Sequence, residues 1–253
     1  MAQFLLSITY SMAKKKNHKH KISFQDFVNS LERADEPRML DEKIERQYFL
    51  VVTEGEKTEP NYFKGLTAEL PDHLVAVEII GEGANTISVV EAAIQKRNAR
   101  KNENLLPNFD EVWVVFDKDD FPAKRFNGAI QLANNELIKL AYSNEAFELW
   151  YILHFQYLDA AVNRTRYIEI LKGILGNYQK NNAQMYQILK QKGDETKAIL
   201  WAKKLFEELN IGNPSEEKPT TLVYRLVERL NDCLLYTSPS PRDATLSRMP
   251  SSA

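Results

Sequence analysis

The chain has 253 residues, of which 43% are hydrophobic and 27% charged, with a formal net charge of -2. Such values describe a globular chain long enough to bury a core, and they exclude a global field drawing it to nucleic acid, so any such contact must come from local basic patches. A single cysteine, Cys233, excludes a disulfide framework and a cysteine-based zinc site and fits a reducing cytoplasm, and no apolar run reaches the length of a membrane span.

The opening MAQFLLSITYS lacks a basic residue ahead of its short apolar stretch, so it reads as an upstream extension rather than a signal peptide, with Met12 as the start. Residues 14–21, KKKNHKHK, form a basic arm able to touch phosphates, and FQDFVNSLERA predicts a short helix; together they make a leading segment over 1–45. From Arg46 the pattern alternates. YFLVVT (48–53) predicts a strand, followed by a turn and a helix with Thr58 as N-cap and Pro60 in the first turn. LVAVEII (74–80) predicts a second strand ending in GEG, and a helix over 86–101 closes on Lys96, Arg97, Arg100 and Lys101. EVWVVF (111–116) runs without polar alternation, as a strand covered on both faces does.

A helix over 123–135, a fourth strand LIKLAYS (137–143) and a helix NEAFELWYILHF (144–155) complete the series. This order predicts a four-stranded, mainly parallel sheet flanked by helices over 46–158. Residues 159–232 read as a helical extension broken only by GNP at 212–214, able to dimerise, bind a partner or form a lid. From Cys233 the chain turns Ser- and Pro-rich and resembles translated adapter sequence, so 233–253 is set aside as a non-native tail.

VVFDKDDF (114–121) gathers three aspartates at a strand end, and Glu54, Glu56 and Glu59 follow the first strand. In an open parallel sheet functional loops lie outside the carboxyl ends of the strands, so if the first and third strands are neighbours the two acidic groups meet. Residues two apart on an extended segment point the same way, which would present Asp117 and Asp119 together. Such a cluster repels itself unless one carboxylate takes up a proton or a cation enters. Hard oxygen ligands suggest Mg²⁺ or Mn²⁺, and two ions about 4 Å apart would suit phosphodiester hydrolysis. The plainer account of the aspartates is turns and helix caps, with Asp120 capping the next helix.

An acidic residue and glycine after the first strand, with Asp-x-Asp after a later one, resembles the Toprim domain of primases, topoisomerases and OLD-family nucleases. In order, TEGEKTEPNYF (53–63), VVFDKDDF (114–121) and SNEAFELWYILHF (143–155) are similar to the RloB family, which includes components of bacterial anti-phage and abortive-infection systems. The resemblance runs from about Arg46 to Asp232 and implies a Toprim-like Rossmannoid fold and a Mg²⁺-dependent nuclease acting on nucleic acid, DNA first. It also implies a partner ATPase, since RloB-like proteins are often encoded beside one, and the chain carries no G-x-x-x-x-G-K-[ST] of its own.

Carried onto this sequence, the resemblance makes Glu54 a metal ligand or proton-transfer group and Asp117 and Asp119 the Mg²⁺ ligands, with Asp120, Glu56 and Glu59 as further candidates. Ser143 and Asn144 would sit at the same edge or cap a helix, with Glu148 one turn further on, and Lys118 and Lys124 lie close enough in sequence to reach a scissile phosphate. Phe147, Trp150, Tyr151, Leu153 and Phe155 read as core, His154 as a packed histidine, and Arg164 and Arg166 as surface cations. Two alternatives remain: a non-catalytic scaffold that binds nucleic acid or regulates the ATPase, and a haloacid-dehalogenase phosphatase, from whose motif DKDDF departs.

Overall fold

In a computed structural model of the chain, residues 45–235 are described apart from 84, 104, 210 and 211. The basic arm, its short helix, the start at Met12 and the tail after 235 lie outside the described residues. Strand β1 (Gln47–Thr53) pairs in parallel with β2 (Val75–Gly81) on one side and with β3 (Glu111–Val115) on the other. Strand β4 (Lys139–Leu140) adds to β3, giving the order β2-β1-β3-β4. The fold is thus α/β, with a four-stranded parallel sheet flanked by helices, as the alternating pattern predicts.

Phe49, Leu50, Val51 and Val52 are all fully buried, which requires cover on both faces of β1. Helices α1 (Thr58–Thr67), α2 (Thr86–Glu103) and α3 (Ala123–Asn135) link the strands. After β1 the chain steps outward to β2, then jumps back across β1 to β3. That reversal opens a crevice beyond the carboxyl ends of β1 and β3, and it sets the two acidic groups side by side.

The fourth strand is shorter than LIKLAYS suggests. Leu137 takes a left-handed conformation (φ 56°), and the Ile138 N–H donates back to the Ala133 carbonyl (2.9 Å), so residues 137 and 138 close α3 instead of starting the strand. Glycine suits that position, whereas this leucine is 90% exposed. Leu137→Gly is expected to relieve about 1 kcal/mol of strain and raise the melting midpoint by about 2–4 °C, read by calorimetry; an unchanged or lower midpoint would show the conformation to be unstrained.

Beyond β4, Ser143–Asn144 form β5, paired antiparallel with β6 (Thr220–Thr221), and Asp117 bridges to Ser143. The predicted helix over 144–155 shrinks to α4 (Glu148–Leu153), because Ser143 and Asn144 are committed to strand pairing. The stretch after 159 holds α5 (Arg164–Leu175), α6 (Met185–Lys192), α7 (Glu195–Leu209) and α8 (Val223–Leu235). It is more broken than the sequence pattern suggests: the loop over 176–184 and strand β6 interrupt it as well as GNP. Helix α8 also runs past Cys233 to Leu235, with Cys233 buried.

Helices α1, α4 and α6 meet through aromatic rings: Tyr62 lies edge-on to Phe147, Trp150 and Tyr186 at centroid distances of 5.8, 6.4 and 5.6 Å. Phe147, Trp150, Tyr151 and Leu153 are core residues, as expected, and Phe155 packs partly buried against them. His154 is buried, its Nδ1 against the Trp150 carbonyl (2.9 Å), and burial pushes its pKa down to about 4, so it is a neutral packing group. Arg97 bonds Glu136, and Arg100 bonds the Pro107 carbonyl over the Phe109 ring, so both tie α2 to its neighbours.

Candidate functional site

Glu54 follows β1 and is fixed to β3 from both ends: its N–H donates to the Val115 carbonyl (2.9 Å), and its Oε2 accepts from the Asp117 N–H (3.0 Å). Burial pushes its carboxyl up to about 7, with the charges of Glu59 and Asp119 adding, against the Asp117 N–H and Arg164. The loop that follows turns tightly, Thr53 Oγ1 donating to the Gly55 carbonyl (2.7 Å). A Cβ on Gly55 would stand 2.1 Å from Glu59 Oε2, so a side chain there would displace that carboxylate.

Glu59 is the second residue of α1, where the helix dipole favours an anion, and it is 5% exposed. Even so, burial raises its pKa, the Glu148 charge adding and Lys180 opposing. Thr58 does not cap this helix: Lys57 holds that position, and the Thr58 hydroxyl donates to the Lys180 carbonyl (3.1 Å), drawing the 176–184 loop over the site. Glu148, fully buried at the start of α4, lies 3.9 Å from Lys180 Nζ and accepts from the Tyr178 hydroxyl (3.4 Å).

Asp117 stands between these groups. Burial drives its pKa well above the ordinary carboxylate range, and Glu59, Glu148 and Glu54 push it further. Asp119 does not share its direction: the turn there is left-handed (φ 39°), so the two-residue alternation of an extended segment fails, and its Oδ2 pairs with Arg164. Glu59 Oε2, Asp117 Oδ1 and Asp119 Oδ1 are buried without a hydrogen-bond partner. Glu59, Asp117, Glu148 and Lys180 line a polar cleft of about 340 Å³ beside the N-terminus of α1.

The profile of the RloB-like protein family matches residues 49–230. The chain belongs to the RloB-like family. No curated protein matches it significantly. The matched span of this RloB-like chain runs from β1 into α8 and holds every acid named above together with Arg164 and Lys180.

Not every predicted site residue of the RloB-like chain reaches the cleft. Asp120 is exposed in the turn after β3 and does not cap α3, whose N-cap is Pro122. Glu56 is exposed but lines the cleft rim, its side chain against Gly83. Ser143 bonds Thr221 (2.9 Å), and Asn144 donates to the carbonyls of Pro214 and Ser215 (both 3.1 Å); they anchor the 212–221 segment and cap no helix. Lys118 Nζ folds back onto the Phe121 carbonyl (2.6 Å), and Lys124 is exposed on the first turn of α3.

Among the described residues, no three His, Cys, Asp or Glu side chains are gathered into a preformed metal-binding group. Glu54, Asp117, Asp119 and Asp120 therefore do not stand as one ligand set, since Asp119 is turned to Arg164 and Asp120 to solvent. The donor chemistry still fits a hard divalent cation, because three buried carboxylate oxygens lack partners and three carboxyls hold raised pKa values. Sequence reasoning missed Lys180 and Glu145 and took Arg164 for a surface cation. Nothing local marks Lys180, which reaches the cleft only through the docking of its loop on Thr58.

Proposed function

We propose that this RloB-like chain hydrolyses phosphodiester bonds in nucleic acid, DNA in the first place, with Mg²⁺ or Mn²⁺, through a Toprim-like site. We assign it to the bacterial cytoplasm and to anti-phage defence, alongside a partner ATPase. What carries this reading is the trio of buried carboxylate oxygens without partners, on Glu59, Asp117 and Asp119, at the crevice between β1 and β3. An unsatisfied buried acceptor has a cost, and cation ligation would relieve it: Glu59 and Asp117 share the cleft, and Asp119 lies two residues from Asp117.

Glu59, Asp117 and Glu148, which line the cleft together, would hold an ion, and Asp119 would join them on leaving Arg164. When bound, such an ion polarises a phosphoryl oxygen and acidifies a water. Glu54, with its carboxyl at about 7, can hold or release a proton near neutral pH, the condition for a general acid or base. Lys180, 45% exposed at the side chain, supplies a cation at the cleft that a phosphate can approach.

The second reading, a non-catalytic scaffold binding nucleic acid or the ATPase, draws on the pairing of Asp119 with Arg164 and of Glu148 with Lys180, which partly neutralises the acids without metal. The test is a MgCl₂ and MnCl₂ titration of melting temperature on the full chain and on Asp117→Asn/Asp119→Asn, with cleavage assays on DNA and RNA. A cation at about 100 times its dissociation constant should stabilise the wild type by roughly 2.7 kcal/mol and leave the double variant unmoved. If neither protein responds to metal and neither cleaves, the scaffold reading replaces the nuclease.

A further inference from the structure

Arg164 opens α5, and its two ends are held differently. Its backbone N–H donates to Glu145 Oε1 (3.1 Å), and Glu145 is itself 9% exposed and paired through Oε2 with Lys218. The Glu145 carbonyl also accepts from the Asp119 N–H (3.0 Å), so one buried residue pins both the start of α5 and the turn that carries Asp119. Asn163 fixes the helix start further, its Oδ1 accepting from the Arg166 N–H (3.0 Å). The pivot is therefore rigid.

The guanidinium end is held by one carboxylate and reaches solvent. A third of the side chain is exposed (33%), and its partner is Asp119 Oδ2, with Glu148 and Asp117 acting on it from further off. Asp119 keeps Oδ1 buried and without a partner, and Glu59, 5% exposed, keeps Oε2 in the same condition along the cleft wall. A divalent cation taken up by Asp119 would meet this guanidinium. Like charges repel, so a divalent cation and the guanidinium compete for the one carboxylate, while the neighbouring acids offset part of that repulsion. A displaced arginine fork has its best alternative partner in a phosphate, whose oxygens match two parallel N–H donors.

We propose that Arg164 is a cation-gated phosphate binder: it holds Asp119 while the site is free of divalent cation and turns to a nucleic-acid phosphate when a cation takes that carboxylate. The inference rests on the metal-dependent reading above and adds to it a coupling between cation and nucleic acid. Because binding free energies are reciprocal, each ligand then tightens the other.

Calorimetric titration of MgCl₂ into the full chain, and anisotropy of a fluorescein-labelled DNA duplex with and without CaCl₂, separate the terms. Arg164→Gln should bind Mg²⁺ about five- to tenfold more tightly than the wild type, and the comparable gain in duplex affinity that Ca²⁺ gives the wild type should vanish. Arg164→Lys, which keeps the charge without the fork, should fall between, and it serves as the reading if Arg164→Gln does not fold. Arg166→Gln, which loses only the exposed pair with Glu169, should match the wild type. Binding of Mg²⁺ by Arg164→Gln alone would support the gate in its strongest form. If the wild type binds Mg²⁺ and the variants bind it equally well or less tightly, the gate is overturned while the metal reading stands. If no protein in the series binds Mg²⁺, both fall together.

Discussion

Glu54→Gln is expected to be more stable than the wild type when divalent cations are absent, most clearly at about pH 8. The folded-state carboxyl titrates at about 7 against an ordinary 4.5, so the native form binds its proton more tightly than the unfolded form does. That contribution is complete below the unfolded value and is lost as pH rises from 4.5 towards 7, leaving the ionised site unfavourable above. The displacement corresponds to roughly 3 kcal/mol, which partial solvent exposure reduces to about 2, or about 4–8 °C in the melting midpoint.

Glutamine keeps the acceptor for the Asp117 N–H, so the loop should survive the change. Asp117→Asn should act in the same direction, since burial and three carboxylates oppose its charge. His154 works the opposite way: its pKa is lowered from 6.5 to about 4, so its contribution is present above 6.5 and lost as pH falls through that window. Melting curves across pH should therefore show the Glu54→Gln gain shrinking towards pH 5. A variant no more stable than the wild type at any pH would mean that the acids are already compensated by Arg164 and Lys180. A gain in Glu54→Gln is what a site that gives up stability for function would show.

The second large effect is expected at Trp150. Trp150→Ala should cost about 3–5 kcal/mol in urea unfolding, the usual range for an aromatic lost from a packed core. The ring is fully buried between Tyr62 of α1 and His154, at 6.4 and 4.9 Å. Its position gives the loss a functional side, because α1 carries Glu59 and α4 carries Glu148. A cavity there would loosen the alignment of the two acids, so under the proposed function any stabilisation by Mg²⁺ should weaken along with the fold. Trp150→Phe should cost clearly less, since it keeps a ring and removes an Nε1–H that is buried without a partner. Equal losses in both variants would mean that a phenyl ring recovers nothing and would overturn the packing account.

Strand and helix order, the parallel sheet and the acids after β1 and β3 are legible in the sequence, because continuous apolar runs, turn residues and charges at strand ends are local signals. The motif SNEAFELWYILHF was legible as a unit but not in its roles. Ser143 and Asn144 go to strand pairing and loop anchoring, Glu145 becomes the pin for Arg164 and Asp119, and Glu148 turns into the cleft. None of these partners is near in sequence, and a side chain's orientation follows from the partner it finds.

The sequence by itself determined which elements form and that β1 and β3 end in carboxylates, since periodicity and propensity act within a few residues. Only the tertiary structure decided which carboxylates face one another. The left-handed turn at Asp119, the docking of the 176–184 loop on Thr58 and the start of α5 on Glu145 bring Arg164 and Lys180 to the acids from 45 and 32 residues away along the chain, measured from Asp119 to Arg164 and from Glu148 to Lys180. Charge balance in the cleft is a property of long-range packing, and no local pattern encodes it.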